Sequence, residues 1–241
     1  MGLRIAVMQP YFLPYLGYFH LVGAVDAFVI LDTVKYPKGG WVNRNRILIE
    51  GVDRWLTLPV SSSASRISDK SYVFDHRDFA GLQRMVSRAY PRSPRLGEFQ
   101  GLLAEWWHSP IRNVSETNMF FVRGIMERLG RVLPRFVNAS SIQTDGATGQ
   151  DRILKIAQNL GATSYVNLIG GQRLYQKSAF NAAGMELFFV RSQFLEYTQK
   201  SPEFVPGLSV LDFFLNETRD AESWIGPESY SLVAANSNEI T

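Results

Sequence analysis

Two short apolar segments near the amino terminus restrict the fold most strongly. Residues Leu3–Met8 and 27–31 are rich in branched side chains and have the length of strands buried on both faces. Between them, Pro10 and Pro14 exclude regular structure, and residues 17–24 have the pattern of a helix. Strand, loop, helix and strand within about thirty residues predict a right-handed βαβ unit. We therefore expect an α/β fold with a Rossmann-like sheet and ligands at the carboxyl ends of its strands.

The later pattern divides the rest of the chain into further parts. Two short strand-like segments around Gly51 predict a hairpin, and apolar residues three and four apart from 79 to 133 predict several helices. Residues 151–160 predict an amphipathic helix and residues 187–190 a further strand. We expect an N-terminal α/β part with the site (1–75), a helical subdomain or insertion (76–138), a C-terminal α/β part that completes the sheet (139–225), and a frayed tail (226–241).

Composition excludes several kinds of chemistry. The 241-residue chain is 46% apolar, which is enough to bury a substantial core, and it has no cysteine. Disulfides, thiolate metal ligands and cysteine nucleophiles are therefore excluded. The three histidines, His20, His76 and His108, lie far apart without the spacing of metal ligands, so we expect no metal site. The chain has no glycine-rich nucleotide fingerprint, so the sequence identifies no cofactor.

Charge and hydropathy restrict the partners. The 25 basic and 22 acidic residues leave a net charge of +3, too little to predict nucleic-acid binding from charge. The first ten residues lack the pattern of a secretory signal, and the longest apolar stretch, 21–31, is too short for a membrane span. We therefore expect a cytoplasmic protein that acts on a small molecule, with a homo-oligomer left open.

Polar side chains are concentrated between residues 9 and 46. Gln9 and Asp32 directly follow the two predicted strands, so we expect them at neighbouring strand ends, flanked by the loop 10–16 and the turn 37–40. Such a cleft would combine an amide, a carboxylate, phenols and cations. Its candidate residues are Gln9, Tyr11, Tyr15, His20, Asp32, Tyr36, Lys38, Trp41, Asn43, Arg44, Asn45 and Arg46.

Several of these residues have both a functional and a structural interpretation. Arg44 and Arg46 alternate around Asn45, so a strand would place both guanidinium groups on one face, either to bind phosphate or carboxylate or as an ordinary exposed face. Asp32 and His20 are the candidates for proton transfer. Alternatively, Asp32 caps a turn and His20 is a partly buried structural histidine.

A second wall of the site is predicted further along the chain. Gly170 and Gly171 follow a predicted strand and precede Tyr175. Glycines permit close approach of the backbone to a ligand. The alternative is a plain turn.

The segment MQPYFLPYLGYFHLVGAVDAFVILDTVKYPKGGWVNRNRI resembles the opening motif of the WbqC-like family. Three later features are also similar to that family: ILKIAQNLGATSYVN, the glycine pair with Tyr175, and FVPGLSVLDFFLN. The resemblance extends from residue 5 to about residue 217. The chain departs from it at His20, where Gln is common, and at Asn167, where Ser is common.

This resemblance implies modification of an amino sugar or sugar nucleotide for surface polysaccharides such as O-antigen. The implied reaction is N-acyl or aminoacyl transfer to a sugar amine, and the implied partner is a nucleotide-linked amino sugar. In that scheme Lys38, Arg44 and Arg46 bind a diphosphate or carboxylate. Asp32 or His20 takes the proton from the attacking amine, while aromatic rings stack on sugar or base.

Two other functions remain open at this point. The order of strand, loop and helix resembles the HIGH-type nucleotide-binding fold, which implies an ATP-dependent amide ligase. Those enzymes hold ATP with histidines in the first loop, whereas this loop carries Pro and Tyr. The other alternative is a non-catalytic binding or scaffold protein of a glycan assembly complex.

Overall fold

A computed structural model describes residues 2–62, 65–193, 196–218 and 222–235 of the chain. The described residues form a six-stranded sheet and a separate two-stranded hairpin. The strands are β1 (Leu3–Met8), β2 (Ala27–Ile30), β3 (Arg44–Ile49), β4 (Val52–Thr57), β5 (Arg135–Asn138), β6 (Ala162–Leu168), β7 (Glu186–Ser192) and β8 (Tyr230–Ala234). The helices are α1 (Leu16–Gly23), α2 (His76–Ala89), α3 (Leu96–His108), α4 (Val114–Arg128), α5 (Gly149–Asn159), α6 (Lys177–Ala182), α7 (Val210–Asn216) and α8 (Glu222–Ile225).

The main sheet has the strand order β5-β2-β1-β6-β7-β8. Its neighbouring strands are parallel except for β8, which pairs antiparallel with β7. Because β1 and β2 are adjacent and parallel with α1 between them in sequence, the predicted βαβ unit is confirmed. The α/β fold with a Rossmann-like sheet is confirmed as well.

Apolar side chains on the two faces of the central strands build two cores. In β1, Ala6 belongs to one core, whereas Ile5 and Val7 belong to the other. Helices α1 to α4 and α7 cover the first face, and α5 and α6 cover the second. Helices α2 to α4 therefore pack into the first core, together with one face of β1 and β2. Because helices cover both faces of these two strands, successive residues in them are apolar.

The carboxyl-terminal segment differs from the predicted frayed tail. Residues Tyr230–Ala234 form β8, with Ser192 of β7 opposite Tyr230, so the prediction is wrong for this part of 226–241. The physical reason is non-local, because β7 offers an unpaired edge that a short, mostly uncharged segment can join. The prediction for residues 236–241 falls outside the described residues.

The arrangement around β1 creates a crevice. The connection from β1 leaves through α1 on one face towards β2, whereas the connection from β6 leaves through α6 on the other face towards β7. At such a switch point the two loops diverge beyond the strand ends and leave room for a ligand. In this chain the switch point lies between β1 and β6.

Candidate functional site

A cavity of about 730 Å³ lies at this switch point and is called here the switch cavity. It is lined by Met8 and Gln9 at the end of β1, by the segment at and after the end of β6, and by Arg191 and Ser192 at the end of β7. Its volume is within the range of small-molecule sites. The edge of the sheet is the one expected from the sequence, but the opening lies on the β6 side of β1.

The switch cavity unites about half of the candidate residues with residues far away in sequence. The candidates that line it are Gln9, Tyr11, Tyr15, Trp41, Asn45, Arg46, Gly170, Gly171 and Tyr175. The candidates that do not line it are His20, Asp32, Tyr36, Lys38, Asn43 and Arg44. The expected second wall around the glycine pair is therefore next to the loop after β1.

The charge of the cavity wall is positive. Arg46 and Arg191 line the cavity, and no acidic side chain does so among the described residues. Arg46 is partly neutralised, since its Nη1 lies 2.5 Å from Oδ2 of Asp53 and its Nη2 donates to the carbonyl of Pro206 at 3.2 Å. Arg191 is exposed and forms no ion pair within the described part of the chain. The wall thus favours an anionic ligand.

Aromatic rings form a second feature of the wall. Burial raises the pKa of Tyr11 and that of Tyr15 above the ordinary phenol value, so both rings remain neutral donors at physiological pH. The Trp41 side chain is 39% exposed and lies 5.3 Å from the Trp55 ring, centroid to centroid. The guanidinium of Arg44 lies 4.1 Å from the Trp55 ring centroid. An exposed indole beside a cavity is suited to stacking on a sugar or a base.

Asn45 shapes the loop between β1 and α1. Its side-chain amide, which is almost completely buried, donates to the carbonyls of Phe12 (3.1 Å) and Leu13 (2.8 Å). Leu13 adopts a left-handed backbone with φ of 42°, an unfavourable conformation for a branched side chain. Ser209 Oγ donates to the same Leu13 carbonyl at 2.7 Å. These bonds hold the loop in the shape that places its tyrosines on the cavity wall.

The part of the wall that follows β6 rests on a buried polar cluster. Asn167 donates to the hydroxyls of Tyr165 at 2.9 Å and Tyr175 at 2.7 Å, and the two hydroxyls lie 2.9 Å apart. Gly170 has ordinary backbone angles, and a Cβ there would have no neighbour within 4 Å. Neither conformation nor packing requires glycine at this position, and a glycine on the cavity wall leaves the backbone accessible to a ligand.

Asp32 has a structural environment. Its carboxylate is 3% exposed and accepts hydrogen bonds from the Ser140 amide at 2.9 Å and from Ser140 Oγ at 2.7 Å. It therefore caps the short 3₁₀ turn Ala139–Ser141 that follows β5. This geometry favours the structural interpretation of Asp32 over a role as a base.

His20 is buried in α1, but its ring reaches a residue of the switch cavity. Nδ1 lies 2.8 Å from Ser192 Oγ, and Nε2 lies 2.7 Å from the carbonyl oxygen of Trp224. Burial lowers the pKa of His20, and the bond to Trp224 opposes that effect. His20 is thus a predicted site residue that is connected to the cavity through Ser192 rather than directly.

The remaining candidates do not line the switch cavity; they are Tyr36, Lys38, Asn43 and Arg44. Tyr36 donates to Asn43 Oδ1 at 2.6 Å, and Asn43 donates to the Leu58 carbonyl at 2.8 Å. Arg44 donates to the carbonyls of Gly39 and Gly40. These contacts hold the turn 37–40 against the hairpin. Tyr36 and Lys38 also line a separate cavity of about 610 Å³, together with Lys35 and Lys70.

Sequence analysis missed three polar residues that line the switch cavity: Asn167, Arg191 and Ser192. A signal existed, because Arg191 and Ser192 directly follow the predicted strand 187–190 and should therefore lie at its carboxyl end. These two residues can be assigned to the site only if β7 is known to pair with β6, and the local sequence does not show which strands are paired.

A smaller apolar pocket of about 260 Å³ adjoins the switch cavity and is called here the side pocket. Tyr15 and Gly207 line both spaces. The other side-pocket residues include Phe204, Pro206 and Leu208. A ligand in the switch cavity would therefore have room for an apolar group beside Tyr15.

In the ranges that the structure covers, no group of three or more His, Asp or Glu side chains is arranged to hold a metal ion. Within the same ranges, no helix has both the length and the apolar character needed to cross a bilayer.

The chain matches the model of the WbqC-like protein family over residues 9–223. It is also similar to the uncharacterized protein Rv1507c of Mycobacterium tuberculosis, with 27% identity over 228 residues that make up 92% of this chain and 97% of the relative. No solved structure matches the chain significantly. The family match includes the loop after β1 and the ends of β6 and β7, from which the switch cavity is built.

Proposed function

The chain belongs to the WbqC-like protein family, and we propose that it is an enzyme that transfers an acyl or aminoacyl group to the amine of a nucleotide-linked amino sugar in the switch cavity. The product would be a building block of a surface polysaccharide such as O-antigen. The chemistry of the cavity wall and the family resemblance support this proposal together.

The observation that carries the proposal is the charge of the wall. Two guanidinium groups, Arg46 and Arg191, line the cavity, and its described wall has no carboxylate. A diphosphate carries the opposite charge and accepts the planar hydrogen bonds of arginine. A nucleotide-linked sugar is one metabolite class that combines a diphosphate with a base and a sugar, which the aromatic and amide groups of the same wall suit.

The arrangement provides a place for each part of the two substrates. Trp41 and Tyr11 offer ring faces for a base or a sugar, and Gln9 offers a side-chain amide for hydroxyl groups. The side pocket beside Tyr15 is apolar and takes the acyl group of the donor. Lys38 and Arg44, which the sequence suggested as diphosphate ligands, lie outside the switch cavity, so Arg191 replaces them in this scheme.

Isothermal titration with UDP- and dTDP-linked amino sugars tests the proposal, with mass spectrometry of mixtures that also contain activated acyl or aminoacyl donors. Arg191→Met should weaken nucleotide-sugar binding about tenfold to hundredfold, the value of a lost charge-assisted hydrogen bond. Arg135→Met is the matched control, because Arg135 is exposed at the amino end of β5, on the opposite edge of the sheet. Equal affinities of the two variants, or no binding by the unaltered protein, would contradict the proposal.

The same experiments separate the two alternative functions. An ATP-dependent amide ligase would release phosphate or pyrophosphate from ATP only when its acceptor is present, whereas a transferase requires no ATP. A binding or scaffold protein would bind the nucleotide sugar but give no increase in product mass with any donor. Either result would contradict the proposed transfer reaction and support the corresponding alternative.

A further inference from the structure

Ser192, His20 and the carbonyl of Trp224 form a chain of hydrogen bonds that ends in the switch cavity. Ser192 is the last residue of β7 and lines the cavity, so its hydroxyl lies at the edge of the sheet where ligands bind. Its Oγ is 2.8 Å from His20 Nδ1, and His20 Nε2 is 2.7 Å from the Trp224 carbonyl oxygen. The three groups come from β7, α1 and α8.

The carbonyl fixes the direction of these hydrogen bonds. A carbonyl oxygen only accepts, so Nε2 of His20 must carry the proton that bonds to Trp224. In the neutral ring Nδ1 is then an acceptor, and the Ser192 hydroxyl donates to it. Burial lowers the pKa of His20, which keeps the ring neutral at physiological pH. The hydroxyl proton of Ser192 therefore points at a base that is ready to take it.

The surroundings hold this geometry in place. Ser192 is opposite Tyr230 in the β7–β8 ladder, and the Tyr230 ring lies 5.8 Å from the His20 ring, centroid to centroid. The imidazole is 1% exposed, and the Ser192 hydroxyl and the Trp224 carbonyl take the place of water at its two nitrogens. A serine hydroxyl bonded to a histidine that is itself oriented by a third group is the arrangement of an activated nucleophile.

We propose that Ser192 is a nucleophile that accepts the acyl group of an activated donor, a thioester or ester, with His20 as its general base. The Ser192 Oγ–carbonyl bond forms as the proton moves to Nδ1 of His20. The bond to the leaving group then breaks, and that group departs with the proton. The amine of the second substrate attacks the resulting acyl-serine, gives its proton to His20, and Ser192 leaves and recovers it. The identity of this amine rests on the proposed function, whereas the acyl-serine does not.

The backbone carbonyl of Trp224 has the role that a carboxylate has in other histidine–nucleophile pairs. When Nδ1 receives a proton, the carbonyl dipole at Nε2 stabilises the imidazolium. Asp32 is not needed for this step.

Phenylmethylsulfonyl fluoride and p-nitrophenyl acetate test the nucleophile without knowledge of the natural donor. We expect one sulfonyl or acetyl adduct on the intact protein, mapped to the peptide that contains Ser192, and release of p-nitrophenolate in a rapid first phase. Ser192→Ala should abolish both. Ser164→Ala is the matched control, because Ser164 is also a strand serine of the same sheet but bonds to Glu186 away from the cavity.

His20→Gln tests the base. Loss of a general base should slow labelling of Ser192 about a hundredfold or more, while circular dichroism reports whether the variant is folded. The pH profile of labelling in the unaltered protein gives an independent test, because the rate should fall towards acidic pH as His20 is protonated. Adducts elsewhere than Ser192, or a rate that depends neither on His20 nor on pH, would overturn the proposal.

The outcomes distinguish this inference from the proposed function. Labelling at Ser192 without affinity for nucleotide-linked amino sugars would contradict the proposed acceptor and support Ser192 as the nucleophile. Affinity for those sugars without labelling would overturn the proposed role of Ser192, and direct transfer to the bound amine would then be the reaction. Adding a UDP-linked amino sugar to the acetylated protein should release the acetyl group as an amide, which joins the two proposals.

Discussion

Replacement of Asn45 by alanine should show how strongly its hydrogen bonds to the loop between β1 and α1 stabilise the protein. The buried side chain of Asn45 donates to the carbonyls of Phe12 and Leu13 and accepts from the amide of Arg46 at 2.8 Å. Alanine therefore removes three hydrogen bonds of backbone groups, of which the two to carbonyls are buried and the one from Arg46 is partly buried. The carbonyl of Leu13 retains a bond from Ser209, which offsets part of the loss.

The size of the effect follows from these contacts. At about 1 kcal/mol for each lost bond, and with one carbonyl still paired, the free energy of unfolding should fall by about 2 to 3 kcal/mol. For a chain of this length that corresponds to a decrease in Tm of about 4 to 12 °C. The loop 10–15 should also lose its defined shape, since Leu13 keeps its left-handed backbone only while these bonds hold it.

Urea denaturation followed by circular dichroism measures the change, with titration of a nucleotide-linked amino sugar as the functional readout. Asn159→Ala is the matched control, because that amide also donates to two backbone carbonyls but is exposed. The control should change stability by less than about 0.5 kcal/mol. A loss below about 1 kcal/mol in Asn45→Ala, or equal shifts in both variants, would refute the account of the loop.

Three further predictions concern the cavity wall and its histidine. Gly170→Leu should abolish nucleotide-sugar binding with little effect on Tm, because a Cβ there faces open space, whereas Gly97→Leu on the outer side of α3 should leave binding unchanged. Trp41→Ala should weaken binding about fivefold or more through lost stacking, and Trp55→Ala, which does not line the cavity, should weaken it less. Because burial lowers the pKa of His20 below 6.5 in the folded state, the folded protein binds fewer protons there than the unfolded chain. The stability that His20 contributes is present above pH 6.5 and is lost as the pH falls below it, so urea midpoints of the unaltered protein should decrease more between pH 7 and 5 than those of His20→Gln.

The first part of the fold could be predicted because local sequence and burial agree. Strands β1 and β2 are apolar on both faces, and Pro10 and Pro14 exclude regular structure in the loop between β1 and α1. The edge strands gave no comparable signal. Strand β5 has four residues, and β8 consists of half-exposed residues whose pairing depends on the free edge of β7.

The site could be predicted in part for the same reason. Gln9 and Asp32 do follow neighbouring strands, yet the sequence does not tell on which side of β1 the cleft opens. That side is decided by the pairing of β1 with β6, more than 150 residues away. The pairing brings Arg191 and Ser192 to the site and leaves Asp32 to cap a turn after β5.

Because β1 pairs with β6, the site can form only after β6 has been synthesised. Leu3 is opposite Ala162, so during synthesis β1 and β2 leave the ribosome long before the middle of the sheet can close. Until then β1 presents an open apolar edge, the kind of surface that chaperones bind and that promotes aggregation. Ligand binding at the switch cavity would therefore appear late in folding, after β7 has joined β6, and would serve as a direct measure of the fraction of chains that have completed the sheet.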